Sequence, residues 1–361
     1  HERWHSFPTR RSSDLEDEYA RIVHPEAFYN KPEFLKLNEN RASCVHYLIF
    51  KDSKNRFGVA IGEKDDGWYC PFSAPFSTFV NIKSKWDIYQ LDESIQAFDE
   101  YAKQQSKKVS FGLPPEFYCP RIVNVMQNSL FNVGYRPLSF DINFQIDLKK
   151  TYREKIEDYL NLLPYNGRKN MKIAVNGELK LVHCNSREDE IKAYEIIKEN
   201  RESRGYPLNM SLGQVMATIK LVKHDMFMVE CGGKQIAAAL IYHVTYNIAQ
   251  VIYWGDIPGF SDYKPINFLA YNLIQYYGEK GFEYLDIGIS TDHGIINYGL
   301  SDFKISIGCD TSAKVTFVKD YSKNSVVDVI SLNGAAEGTF LHNKNYLKRM
   351  EGKQWIIKTE S

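Results

Sequence analysis

"NYGLSDFKISIGCD", residues 297–310, places a full charge, Lys304, between Phe303 and Ile305, in a segment whose Phe and Ile residues otherwise suit a core. Lysine is almost never fully buried unless it is paired, so a charge at this place asks for a reason. Just before it stands "YLDIGIS" (284–290), a strand pattern ending in Asp-x-Gly, and just after it "AKVTFVKDY" (313–321), which reads as a closing strand. Upstream lies "KPINFLAYNLIQYYGEKG" (264–281). Pro265 suits a first helical turn, Ile266, Leu269, Leu273 and Tyr277 share a face, and Gly281 suits the stop.

Further outward, "REDEIKAYEIIKENRESRG" (187–205) predicts a helix and "MFMVECGGKQIAAALIYHVTYNIAQVIYWGDI" (226–257) two or three strands with a Gly-Gly turn. The first half follows the same order. "PEAFYNKPEFLKLNEN" (25–40) reads as a helix, and "CVHYLIFKD" (44–52) with "RFGVAIGEKDDGWYCPF" (56–72) as an antiparallel meander turning at Asp65-Asp66-Gly67. A helix over "LDESIQAFDEYAKQQ" (91–105) is expected to be capped by Asp92, and "KVSFGLPP" (108–115) is a strand. "IVNVMQNSLFNVGY" (122–135) is a helix ending at Gly134, and "SFDINFQIDL" (139–148) alternates with period two. Both halves therefore read meander, helix, strand, short helix ending in Gly, strand, which is the sign of an internal duplication. "SLFNVGY" (129–135) set against "SDFKISIGC" (301–309) puts Asn132 opposite Lys304. On this reading architecture alone does not demand a lysine.

A chain of 361 residues is long enough for two domains. Lys plus Arg and Asp plus Glu number 45 each, which excludes a global field that would gather DNA or anionic lipid; any such partner needs a local patch. The six cysteines, Cys44, Cys70, Cys119, Cys184, Cys231 and Cys309, include no CxxC and no Cys/His pair at zinc spacing, so neither a disulfide framework nor a metal is expected. No apolar run approaches the ~18 residues of a membrane span. We expect a soluble cytoplasmic protein, at most peripheral to the inner face of the membrane, and monomeric or homodimeric. Residues 1–15, "HERWHSFPTRRSSDL", resemble a translated sequencing adapter and are set aside as a non-native or disordered leader. The expected domains are 16–150 and 151–321, with 322–361 as a C-terminal extension.

The elements "YLDIGIS…GLSDFKISIG", the helix at 264–281 and "NGRKNMKIAVNGELKLV" (166–182) together resemble the C-terminal domain of FemAB-type transferases. The resemblance covers roughly residues 25–321. It implies a mixed α/β (α+β) fold of two tandem GNAT-like domains, each a mostly antiparallel mixed sheet flanked by helices. It also implies an N-acyltransferase that moves an acyl group from acyl-CoA (acetyl-CoA as co-substrate, no metal) to a primary amine on an amino sugar or envelope precursor. The alternatives are aminoacyl transfer from aminoacyl-tRNA to a peptidoglycan precursor, and a binding module that has lost the chemistry. The family's usual Gly-rich pyrophosphate turn is reduced here to one glycine, Gly259.

Acyl transfer to an amine needs a polarised carbonyl, a neutral amine and help for the leaving group. The resemblance places Lys304 beside the developing oxyanion, with a lysine snorkelling from an apolar face as the plain alternative. Asp286 is either a general base or a clasp for the loop after it, and His293, in "STDHG", is the one imidazole near the presumed cleft. The helix start from Gly259 through Ser261, Tyr263, Lys264 and Asn267 suits a donor phosphate, with Phe303 packing beside the donor. Arg168, Arg201 and Arg204, with Ser290 and Asn297, are assigned to the acceptor, arginine being suited to phosphate by its bidentate fork.

Overall fold

The computed structural model describes residues 12–292, 294–322 and 356–358. The expectations for residues 1–11, for His293 and for most of the C-terminal extension lie outside them. Helix α1 (Ser12–Ile22) begins inside the segment set aside as leader.

The strands in chain order are β1 (Cys44–Lys51), β2 (Asn55–Lys64), β3 (Gly67–Cys70), β4 (Val80–Asn81), β5 (Lys108–Gly112), β6 (Arg136–Asp147), β7 (Leu179–His183), β8 (His224–Cys231), β9 (Lys234–His243), β10 (Ile248–Asp256), β11 (Tyr284–Ile289), β12 (Thr291–Asp292), β13 (Ile295–Ile296), β14 (Asp310–Asp320) and β15 (Ile356–Lys358). After α1 the main helices are α2 (Pro32–Leu37), α3 (Ile88–Gln105), α4 (Pro120–Asn132), α5 (Leu148–Thr151), α6 (Ile156–Leu162), α7 (Tyr165–Asn176), α8 (Arg187–Ser203), α9 (Leu212–Thr218), α10 (Pro265–Glu279) and α11 (Tyr298–Ser306).

One mixed, mostly antiparallel sheet runs through the molecule in the order β15-β1-β2-β3-β5-β14-β6-β11-β10-β9-β8-β7. Its centre is an exchange: β6, from the first half of the sequence, pairs with β11 of the second, while β14, from the end of the second, pairs with β5 of the first. The two exchanged strands lie against each other along most of their length. Four apolar clusters among the described residues follow from this order, the smallest around Tyr19, Tyr47 and Phe72. One fills the first half around Phe57, Phe98 and Phe111, another the second half around Leu269, Leu273 and Tyr277. A third joins the halves, setting Phe28, Tyr29, Phe76 and Tyr118 against Ile197, Met226 and Tyr242.

Three local expectations are corrected. Residues 25–40 are not one helix, because Pro32 has no N–H to continue a preceding turn; they form two 3₁₀ turns around the short α2. Helix α3 starts earlier than expected, capped by Asp87, which accepts from the Gln90 N–H while the Gln90 side chain returns to the Asp87 N–H. Asp92 instead lies within the helix and accepts from Ser129 Oγ at 2.6 Å. The third correction concerns the repeat. Helices α4 and α11 end in the same hydrogen-bonded motif: Tyr135 N–H to Leu130 O and Gly134 N–H to Phe131 O in one, Cys309 N–H to Lys304 O and Gly308 N–H to Ile305 O in the other. Both glycines have positive φ, 98° and 87°, as such helix ends require. This register places Lys304 opposite Leu130 rather than Asn132, because the second copy has two more residues between its Phe and its Gly. Leu130 is wholly buried. Lys304 therefore occupies a core position that the other copy fills with leucine.

Candidate active site

Strands β10 and β11 run parallel but pair only from Ile248–Tyr284 to Gln250–Asp286. Beyond Gln250 and Asp286 they part, and the gap opens into a cleft of about 1180 Å³ walled by residues of both halves. Pockets for single drug-sized ligands typically hold roughly 300–1000 Å³, so this one has room for two reactants.

Asp286 sits at the fork, fully buried. Its Oδ1 accepts from Asn143 Nδ2 at 2.8 Å and from the Gly288 N–H at 2.9 Å; its Oδ2 accepts from Tyr118 OH and Gln250 Nε2, both at 2.7 Å. Tyr29 OH donates in turn to Gln250 Oε1 at 2.5 Å. Burial holds the Tyr29 and Tyr118 hydroxyls well above the ordinary tyrosine range, so they remain donors. With four donors on two oxygens, the carboxylate has no free position for a substrate proton. The bonds fit the structural alternative to the expected base role: Asp286 holds the bulge of β11 at Gly288.

That bulged end of β11 holds the lysine. Gly288, with φ of 78°, turns the strand, and Lys304 Nζ donates to the carbonyls of Gly288 and Ile289, both at 2.8 Å. The Phe144 ring lies 5.2 Å from Nζ. Lys304 is only 2% exposed yet lines the cleft, and burial lowers its pKa to about 8. Two of its N–H groups are taken by carbonyls, which leaves the third position for whatever enters. Phe303 lines the same wall, edge-on to Trp254 with ring centroids 6.0 Å apart.

Along the wall, Ser261, Lys264 and Asn267 stand at the start of α10. Lys264 caps the helix in the left-handed conformation and Pro265 follows it, so the N–H groups of Ile266 and Asn267 lack intrahelical partners. Asn267 is 5% exposed and its Nδ2 has no hydrogen-bond partner. A buried amide left unsatisfied is costly and points to an acceptor that a ligand brings. Gly259 and Tyr263, also expected here, are not on the cleft wall; Gly259 serves its turn with φ of 92°.

Of the residues expected to bind the acceptor, Arg201 and Arg204 both reach the cleft. Arg204 pairs with Asp256 at 3.0 Å, while Arg201 lies 5.3 Å from the Tyr253 ring centre and its Nε has no partner. Of the three other expected residues, two do not reach the cleft wall. Arg168 is off the wall and donates to Leu163 O at the end of α6, and Ser290 is buried away from the cleft. Asn297 reaches the wall but uses its side chain to cap α11, accepting from the Leu300 N–H.

Residues that the sequence reading missed include Gln250, Asn143, Arg41 and Lys314, all on the cleft wall. Gln250 in "IAQVIYW" and Asn143 in "DINFQ" carried the same signal as Lys304: a polar side chain inside an apolar strand.

No family model matches the chain, and no curated protein matches it in sequence. Its structure is similar to several solved ones. FemX superposes with a TM-score of 0.59 at 12% identity, over 86% of this chain and 96% of that one. The C-terminal domain of a protein described as a lysylphosphatidylglycerol synthetase, from Agrobacterium fabrum, does so with a TM-score of 0.57 at 11% identity, over 85% and 92%. L-PGS from Bacillus licheniformis gives 0.53 at 11% identity, over 86% and 93%. The chain thus shares the fold of FemX, a mixed α/β fold with one large, mostly antiparallel sheet flanked by helices.

Proposed function

From this FemX-like fold and the contents of its cleft, we propose that the protein is an N-acyltransferase carrying an acyl group from acyl-CoA to a primary amine on an anionic, phosphate-bearing envelope or sugar precursor. The observation that carries the reading is Lys304: a buried lysine fixed by two carbonyls at the cleft wall, in a place where the other repeat has leucine. As the amine attacks the thioester carbonyl, the carbonyl oxygen becomes an oxyanion, and the Nζ charge beside it stabilises the adduct in a site of low dielectric. Collapse of the adduct forms the amide C–N bond and breaks the C–S bond, and the proton lost by the amine neutralises the departing thiolate. The start of α10, with Asn267 Nδ2 and Lys264, holds donor phosphate, and Arg201 with Arg41 and Arg204 holds the acceptor's anion.

A second reading keeps the chemistry and changes the donor to an aminoacyl-tRNA. It is favoured by the neighbours, which include FemX and a protein described as a lysylphosphatidylglycerol synthetase. Thermal melting separates the two: acetyl-CoA at saturation should raise the Tm, whereas tRNA binding that weakens steeply with salt would replace the first reading by the second. A protein whose melting responds to neither donor is a binding module and not an enzyme of this kind.

A further inference from the structure

The inner face of β1 reads Cys44, His46, Leu48, Phe50 and that of β2 Phe57, Val59, Ile61, Glu63. Side chains two apart on a strand share a face, and the register sets Cys44 directly opposite Glu63. The two apolar rows thus end together in a thiol, an imidazole and a carboxylate. One ligand atom from each lies within 4.8 Å of the other two. We propose that Cys44, His46 and Glu63 form a binding site for a divalent cation of the zinc class, separate from the cleft, which none of the three lines.

Sulfur, imidazole nitrogen and carboxylate oxygen are the donors zinc takes, and three protein ligands leave a fourth position for water or an outside ligand. The same set is wrong for magnesium or calcium, which prefer oxygen alone. The frame is rigid, being two paired strands, and the His46 ring is held against Trp68 with centroids 4.7 Å apart. His46 Nε2 and Glu63 Oε2 lie at hydrogen-bond distance, 2.7 Å. A cation would replace that hydrogen bond and take the place of the Cys44 thiol proton, and the ring and carboxylate need move apart by only a few tenths of an ångström. Cys44 is exposed, which gives the ion its way in. The sequence reading passed over this group because a Cys-x-His pair alone does not have zinc spacing; the third ligand arrives from the neighbouring strand, 17 residues past His46.

The test uses the full chain, stripped with EDTA and kept reduced. Titration calorimetry with Zn²⁺ should show a site that Cys44→Ser, His46→Gln and Glu63→Gln each weaken at least tenfold, and whose affinity falls between pH 7.5 and pH 6 as protons compete. With Co²⁺, a thiolate-to-cobalt charge-transfer band should appear and be absent from Cys44→Ser. The proposal is overturned if no saturable Zn²⁺ binding is seen, if Cys44→Ser keeps the band, or if Mg²⁺ in hundredfold excess displaces Zn²⁺.

Discussion

At the scale of the residue, Lys304 carries opposing effects on stability and function. Lowering its pKa from 10.5 to about 8 corresponds to about 3 kcal/mol of unfavourable burial. Below pH 8 both folded and unfolded chains bind the proton, so the cost is constant there; it is relieved as pH rises from 8 to 10.5, and this one group makes the fold more stable across that window. Lys304→Met removes the cost but strands two carbonyls at roughly 1 kcal/mol each. The variant should therefore melt within a few degrees of the parent while turnover falls at least tenfold, read by steady-state kinetics beside calorimetry. Unchanged turnover in that variant would falsify the assignment. Because the charged form is the working one, kcat should also decline as pH rises through about 8, and Lys304→Met should lose that limb of the profile. The charge was legible in the sequence as an exception to its surroundings. Its counterpart was not, because a residue-by-residue match of "SLFNVGY" aligns the phenylalanines, whereas the helix ends align through backbone hydrogen bonds that place Leu130 there.

At the scale of the element, the site exists because β10 and β11 stop pairing after three residues and Asp286 stands where they part. Four donors from β6, β10, the Tyr118 turn and the bulge of β11 itself converge on one carboxylate. Asp286→Asn turns an acceptor-only group into one that presents a donor to donors, at a cost of roughly 3 kcal/mol. It should lower the Tm by several degrees and, by loosening Gly288, reduce kcat more than it changes KM. If Asp286→Asn melts like the parent, the carboxylate is not holding the bulge of β11. Elements with strong local signals were readable: the Asp65-Asp66-Gly67 turn, α10 from Pro265 to its glycine stop, and the alternating β6. The α3 start was missed because two acceptable caps, Asp87 and Asp92, lie five residues apart, and only packing of Leu91 and Ile95 in the core chooses between them. The fork could not be read at all, since a strand's sequence does not say where its neighbour leaves it.

At the scale of the molecule, duplication was visible in element order, but the exchange of β6 and β14 was not, because both strands have patterns suited to either half. The exchange, with the cluster that sets Phe28 and Tyr118 against Ile197 and Tyr242, predicts a single cooperative unfolding transition in calorimetry. A fragment of residues 16–150 should remain unfolded, since β5 would lack β14 and β6 would lack both neighbours; two separable transitions, or a folded fragment, would show the halves to be independent. There is also a consequence for synthesis. The strand that covers β5 begins at Asp310, about 200 residues after Gly112, and at roughly 5–20 residues per second it leaves the ribosome on the order of 10–40 s later. During that interval the nascent first half presents an open sheet edge beside an incomplete core. Expression at lower translation rates, or without chaperones that shield such edges, should lower the yield of soluble protein even though the finished chain is well paired.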